Sequence, residues 1–127
     1  MENLQKMRVL QYLEAYEKQE VVGMMAGMHP DVVFENVSGG EVNLRTEGRE
    51  ALRKQAESAL AYFSARKQTP TSWQIEPDRI EIGIHYEAVL AVDFPMMHLK
   101  TGEKLVLEGR SVFRFLDNQI IALTDFS

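Results

Sequence analysis

The stretch KLVLEGRSVFRFLDNQIIALTDF, residues 104–126, decides the fold of this 127-residue chain. Lys104 to Phe115 predicts one long β-strand, Leu116-Asp117-Asn118 can form a tight turn, and Gln119 to Phe126 predicts the partner strand. Asp125 is the single acid in this otherwise apolar closing strand. A buried carboxylate costs free energy unless it reaches water, a partner or a cavity. We therefore expect the closing strand to form one wall of a pocket.

Alternation along the first of these strands separates two faces. The face that we expect to line the cavity carries Leu107, Gly109, Ser111, Phe113 and Phe115. The opposite face carries Val106, Glu108, Arg110, Val112 and Arg114. Its mixture of charges and valines suits a half-polar homodimer interface, and plain solvent exposure is the alternative. A solvated Asp125, or one paired with Arg110 or Arg114, is the alternative to the pocket.

The first half of the chain is helical in pattern. A first helix is predicted from Leu4 to Tyr16 and a second, shorter one from Glu20 to Met28. The residues expected on the buried stripe of the first helix are Leu4, Met7, Leu10, Leu13 and Tyr16, widened by Val9 and Tyr12. A break at His29-Pro30-Asp31 should separate the second helix from a short strand, Val32 to Val37.

A third helix is predicted from Thr46 to about Ser64, after a loop at Ser38-Gly39-Gly40, with Thr69-Pro70-Thr71 ending it. Strands follow. Trp73 and Ile75 share one parity and Ile80 and Ile82 the other, so we expect a bulge or a bend around Pro77-Asp78. A strand from Tyr86 to Phe94 and a hairpin turn at Thr101-Gly102 complete an antiparallel meander, and the whole pattern predicts an α+β fold.

Composition excludes several classes of function. Apolar residues make up 45% of the chain, charged residues 26%, and the formal net charge is −5. Without a basic stripe we expect neither nucleic acid nor an anionic membrane as partner. There is no cysteine, no apolar run near the roughly 20 residues of a membrane span, and no signal-peptide pattern, so we expect a cytoplasmic protein. His29, His85 and His98 do not stand at metal-ligand spacing, so we expect no metal and no cofactor.

Three segments resemble the nuclear transport factor 2-like superfamily, and within it the SnoaL-like polyketide cyclases and the ketosteroid isomerases. They are HPDVVFENV (29–37), TEGREAL (46–52) and EGRSVFRFLDNQIIALTDF (108–126). The resemblance spans nearly the whole chain and implies one domain over residues 1–127. Its implied architecture is a cone, in which three N-terminal helices pack on the concave face of a strongly curved, mostly antiparallel sheet. That superfamily hosts enzymes, binders and dimerisation modules.

The resemblance also implies roles for individual residues. Tyr12 stands where ketosteroid isomerases place an oxyanion-binding tyrosine, but Asn36 replaces their general-base aspartate and Ser111 their second oxyanion donor. Asn36 cannot accept a proton, which argues against that isomerisation. SnoaL-like cyclases use an aspartate of the final strand as acid/base, and Asp125 occupies a similar place. In a mainly apolar cavity its pKa should be raised.

These patterns lead to a specific expectation: a small-molecule enzyme of the cyclase, isomerase or dehydratase kind, with acid/base chemistry in an apolar pocket. Asp125, Tyr12 and Asn36 are the predicted catalytic residues. The residues predicted to bind a small apolar substrate are Tyr16, Phe34, Tyr62, Trp73, Ser111 and Phe113. A non-catalytic binder of a small apolar ligand and a dimerisation module are the alternatives.

Overall fold

The computed structural model describes residues 3–127 and builds them into helices that pack on one six-stranded sheet. The α-helices are α1 (Leu4–Glu17), α2 (Val21–Met25) and α3 (Arg49–Ala59), and the short 3-10 helices are Leu60–Tyr62 and Pro95–Met97. The strands are β1 (Met28–Ser38), β2 (Glu41–Glu47), β3 (Phe63–Glu76), β4 (Arg79–Leu90), β5 (Lys104–Leu116) and β6 (Gln119–Phe126).

The sheet has the order β2-β1-β6-β5-β4-β3, and only the central β1–β6 pair is parallel. The predicted C-terminal hairpin is confirmed, because β5 and β6 pair antiparallel on either side of Asp117-Asn118. Both turn residues have positive φ, 52° and 60°, as the type I′ turn that matches strand twist requires. The predicted α+β architecture is therefore confirmed, with the sheet left open at its two edge strands.

The buried face of α1 differs from the predicted stripe. Leu4, Met7 and Leu10 are exposed, with 46%, 39% and 45% of their surface accessible, so this part of the prediction was wrong. The residues of α1 that are buried are Val9, Tyr12, Leu13 and Ala15. The helix carries two adjoining apolar stripes, and spacing alone does not decide which of them turns inward.

The region around β1 and β2 also departs from the prediction. The second helix ends at Met25, and the supposed break at His29-Pro30-Asp31 lies inside β1. β2 was missed entirely: Gly39-Gly40 is the two-residue turn of a β1–β2 hairpin, with φ of 60° and 82°. Glycine has no Cβ and adopts such angles at no steric cost, and a Gly-Gly pair is a standard hairpin signal.

The end of α3 is a further correction. The helix stops at Ala59, and Thr69-Pro70-Thr71 stands inside β3, where the register shifts between Pro70 and Ser72. Proline is tolerated there because β3 is an edge strand and the site is a bulge. The phase change near Pro77-Asp78 is a hairpin turn between β3 and β4, with Glu76 paired to Arg79.

The core lies between the helices and one face of the sheet. On β5, Ser111, Phe113 and Phe115 are buried and Arg110 and Arg114 are exposed, as the alternation predicted for this end of the strand. Two residues depart from the predicted alternation. Leu107, nearer the start of β5, is 40% exposed, and Val112, on the opposite face between Ser111 and Phe113, is buried. The largest fully buried side chains are Phe113, Met28, Ile80, Ile82, Leu90, Ile120, Leu123, Val9 and Val32. The inward face of β5 therefore passes from core to open wall along its length.

Candidate active site

A cross-strand row places Asp125 at the centre of the inward face. In register, Asp125 of β6 stands opposite Asn36 of β1 on one side and Ser111 of β5 on the other. Residues directly opposite in neighbouring strands project to the same face of a sheet. The chain thus brings together, on one face of the sheet, three polar residues that are far apart in sequence.

Ser111 holds the Asp125 carboxyl in place. The Ser111 hydroxyl donates a hydrogen bond to Asp125 Oδ1 at 2.6 Å, and Ser111 itself is only 3% exposed. Burial raises the pKa of the Asp125 carboxyl from its ordinary 3.8 to about 6, although the bond from Ser111 favours the charged form. Arg110 is engaged elsewhere, over the Phe126 ring at 3.9 Å and beside Glu81 at 3.4 Å. Asp125 is therefore partly buried, weakly stabilised as an anion, and able to exchange a proton near neutral pH.

Two adjoining cavities meet at Asp125. One has a volume of about 240 Å³ and extends along β5 past Leu107 and Gly109. The other, of about 290 Å³, lies against the helices and is bordered by Tyr12, Met24 and Leu52. The four residues that border both cavities are Tyr16, Asn36, Tyr86 and Asp125. The carboxyl thus faces space that a small molecule could occupy from either side.

Three tyrosines and an arginine line the same space. Tyr16 accepts a hydrogen bond from Arg66 Nη1 at 3.3 Å, and its hydroxyl lies 3.4 Å from that of Tyr86. The Tyr12 ring packs edge-on against Phe113, with centroids 5.8 Å apart. Burial and then the nearby Asp125 carboxylate hold the pKa of the Tyr12 hydroxyl well above its usual range. Burial and then Tyr16 raise the pKa of Tyr86. Tyr12 and Tyr86 therefore stay protonated and can donate hydrogen bonds.

Asn36 borders both cavities, and one of its amide hydrogens is already committed. Its Nδ2 donates to Asn43 Oδ1 of β2 at 2.8 Å. The bond joins the neighbouring strands β1 and β2 and fixes the orientation of the Asn36 amide. The second N–H of this amide has no hydrogen-bond partner among residues 3–127, so it can donate to a ligand oxygen.

Six of the nine predicted site residues border a cavity, and three do not. The six are Tyr12, Tyr16, Phe34, Asn36, Ser111 and Asp125. Phe113 is fully buried in the core. Tyr62 is 45% exposed and its ring packs on that of Phe94. Trp73 packs against the core, and the Lys6 ammonium lies 5.0 Å from the centroid of its ring. Within residues 3–127 these three line neither cavity, so the structure does not bring them to the site.

Arg66 is a cavity residue that sequence reasoning missed, and Tyr86 is one that it did not assign to the site. Arg66 follows the predicted end of the third helix at about Ser64 and was given no role, whereas it lies on β3. The available signal was alternation. Arg66, Gln68 and Pro70 are alternate residues and so share one face if the segment is a strand, and the composition of Thr69-Pro70-Thr71 also suits an edge strand. Tyr86 lies on β4, the strand whose inward residues the sequence left unassigned.

His85 is on the opposite side of the sheet from the cavities. Its ring nitrogens contact Glu108 and, at 3.2 Å, Glu87. The hydrogen bond to Glu108, and then that to Glu87, raises the pKa of His85. Across residues 3–127, no cluster of three or more histidines, cysteines and acids is arranged to hold a metal ion. In the same range, no helix has the length and apolarity to cross a membrane.

The family model described as the SnoaL-like domain matches residues 9–123 of this chain. The chain therefore belongs to the SnoaL-like domain family. No curated protein matches it in sequence.

Solved structures share the fold at low identity. A candidate polyketide cyclase from Xanthomonas campestris pv. campestris is 19% identical with a TM-score of 0.83, covering 98% of this chain and 90% of that one. A protein from Catenulispora acidiphila with a ketosteroid isomerase-like fold is 14% identical, with a TM-score of 0.76 and coverages of 94% and 84%. An LEH-like epoxide hydrolase of M. tuberculosis is 14% identical, with a TM-score of 0.77 and coverages of 97% and 81%. The predicted resemblance is thus confirmed for the fold.

Proposed function

We propose that this protein is a small-molecule enzyme in which Asp125 transfers a proton to or from a substrate held in the two cavities. The observation that carries the proposal is the position of the Asp125 carboxyl, on the wall common to both cavities, with a single hydrogen bond, from Ser111. Membership of the SnoaL-like family supports a small-molecule enzyme, as do the names of the polyketide cyclase candidate and the epoxide hydrolase that share the fold.

The proposed chemistry is proton abstraction next to a carbonyl, a step with which cyclisation, isomerisation or dehydration of a carbonyl compound can begin. An acid with a pKa of about 6 is a carboxylate in part at pH 6 to 7, and it is still basic enough to accept a proton. Proton transfer by a positioned side chain contributes roughly 10²- to 10⁴-fold to a rate. Asp125 would accept the substrate proton and return it at a second carbon or to an oxygen.

Hydrogen-bond donors would stabilise the oxyanion formed in that step. The Tyr12 hydroxyl and the free Asn36 N–H both border the larger cavity, as Asp125 does. Donors placed in advance around a developing negative charge are worth more in a cavity than in water. Phe34, on the same wall, would pack against the apolar body of the substrate.

The experiment is hydrogen–deuterium exchange at carbons next to the carbonyl of a panel of hydrophobic ketones, followed by proton NMR in D₂O. We expect the wild-type protein to accelerate exchange of at least one ketone, and Asp125→Asn to lower that rate by about 100-fold or more. Asp31→Asn, the same change at an exposed acid of β1, is the control and should leave the rate unchanged. An Asp125→Asn variant as fast as wild type would rule out the proton-transfer role.

A non-catalytic binder of a small apolar ligand is the second candidate function. Asn36 favours it, because an amide stands where ketosteroid isomerases place their base. In that case ligands would bind with similar affinity to the wild type and to Asp125→Asn, and neither protein would accelerate exchange.

Assembly belongs to the same proposal. We expect a cytoplasmic homodimer, formed through the outer face of β4 and β5, which presents Glu81, His85, Val106 and Arg110. Val106 is 48% exposed on this face and would be covered in a dimer. Analytical ultracentrifugation of wild type and Val106→Asp tests this. A monomeric wild type at micromolar concentration would contradict it.

A further inference from the structure

Arg66 is a buried cation with unused hydrogen-bonding capacity. The residue is only 6% exposed. Nη1 donates to the Tyr16 hydroxyl at 3.3 Å, whereas Nε and Nη2 are enclosed without a partner among residues 3–127. Buried polar groups nearly always have partners, and buried charges are normally paired. A guanidinium in this state calls for an explanation.

The free edge of the guanidinium has a defined shape. Nε and Nη2 lie side by side on the edge that remains after Nη1 has bonded to Tyr16. Two parallel N–H groups of this kind match the two oxygens of a carboxylate. Aromatic rings fix the plane of the group, since Cζ lies 4.3 Å from the Tyr16 centroid and 5.1 Å from the Phe63 centroid.

Arg66 also belongs to the cavity that contains Asp125. It borders the larger cavity, together with Tyr12 and Asp125. Gln68, two residues along β3, borders the smaller cavity, and its Oε1 is likewise buried without a partner among the described residues. Unsatisfied polar atoms of β3 are therefore found at the border of both cavities.

The positive charge of Arg66 is local. The chain carries a net charge of −5, so its overall field repels anions and does not collect them. An anion selected by this protein must be recognised by short-range contacts. Arg66 is positioned to make such contacts within an apolar surrounding, where charge-assisted hydrogen bonds are strong.

We infer that the natural ligand carries a carboxylate on an apolar body, and that Arg66 binds this group while the body fills the larger cavity. This inference rests on the proposed small-molecule site and names the class of its substrate: a hydrophobic carboxylic acid. Because Nε and Nη2 are enclosed, binding includes a side-chain rotation that opens this edge, a common adjustment at binding surfaces. The carbon acid that reacts at Asp125 is then part of the same molecule.

The test compares two probes of the same shape, 2-naphthoate and its neutral amide 2-naphthamide, by isothermal titration calorimetry. We expect wild type to bind the carboxylate about 10- to 100-fold more tightly than the amide, as hydrogen bonds to a charged group imply. Arg66→Met should lose that preference and keep its affinity for the amide. Arg66→Lys, which retains the charge without the fork, should recover part of it.

Folding of the variants is accounted for in the same experiment. Replacing an unpaired buried charge by an apolar side chain of similar length should leave the melting temperature of Arg66→Met equal or higher. Should this variant fail to fold, the wild-type comparison of carboxylate and amide decides alone. Asp125→Asn should keep the preference for the carboxylate, since that variant loses only a negative charge.

Three results would overturn the inference: equal binding of both probes by wild type, no binding of either probe, or an unchanged preference in Arg66→Met. Equal binding is what we would see if Arg66 only supported the fold through its contact with Tyr16. Each of these results leaves the ketone exchange rates of wild type and Asp125→Asn untouched. The anion site and the proton-transfer role can therefore fail separately.

Discussion

Replacing Asp125 by asparagine should stabilise the folded protein at neutral pH. Burial raises the pKa of the Asp125 carboxyl from 3.8 to about 6, so ionising it costs more in the folded state than in the unfolded state. At 1.36 kcal/mol per pKa unit, this rise corresponds to about 3 kcal/mol of lost stability above pH 6. Asparagine has the same shape, can still accept the Ser111 hydrogen bond, and never ionises. We expect Asp125→Asn to recover most of this free energy.

The pH dependence has a definite sign. Between pH 3.8 and about 6 the folded state binds more protons at Asp125 than the unfolded state. The contribution of the protonated acid to stability is therefore fully present below pH 3.8 and is lost as the pH rises through about 6. Asp125→Asn lacks this titration, so the gap between variant and wild type should widen from pH 4 to pH 6 and stay constant above.

Urea unfolding at half-unit pH steps from 4 to 8 measures both effects, with Asp31→Asn as the exposed control. The control should follow the wild-type curve. The reasoning would be refuted if Asp125→Asn were less stable than wild type at pH 7, or if the gap between the two proteins did not change with pH.

Further variants test the surroundings of the site. Ser111→Ala removes a bond that lowers the pKa of Asp125, so this pKa should rise above about 6 in a carboxyl NMR titration; a fall would contradict the geometry. Gly109→Ala would place a Cβ 2.3 Å from the Phe126 carbonyl oxygen, and thermal unfolding should show a loss of about 1–3 kcal/mol, whereas unchanged stability would argue against this close approach. Phe113→Ala should cost about 3–5 kcal/mol in urea unfolding, and a loss below about 1 kcal/mol would remove Phe113 from the core.

The sequence predicted the C-terminal half of the fold better than the first half. Long alternating strands and the Asp117-Asn118 turn are local signals, and the structure follows them in β5 and β6. The strand predicted from Tyr86 to Phe94 was wrong in its bounds, because β4 runs from Arg79 to Leu90. β2 was missed because Glu41 to Glu47 is polar and lies on an edge strand, where burial leaves little pattern. Pro70 was interpreted as a terminator, although the edge position of β3 lets the strand continue through it.

The candidate site was predictable for the residues whose position follows from the pattern within a single strand. Asp125 stood out as an isolated acid, and the parity of β5 placed Ser111 on the face of the cavity. The structure adds that these two residues are directly opposite each other. Arg66 could not be assigned to the site from its neighbours in sequence alone, because its guanidinium packs against the ring of Tyr16, which lies on α1. Trp73 was expected in the cavity because it is a large aromatic residue. Residue type does not determine whether a strand residue packs against the core or lines the cavity.

The most direct test of the central claim is the pKa of Asp125, measured by ¹³C NMR of its side-chain carboxyl, with the resonance assigned by its absence in Asp125→Asn. A midpoint at about 6 is the result expected for a partly buried carboxyl between the two cavities. A midpoint at or below 3.8, the ordinary aspartate value, would show that the carboxyl is solvated or ion-paired, and would contradict its role in proton transfer.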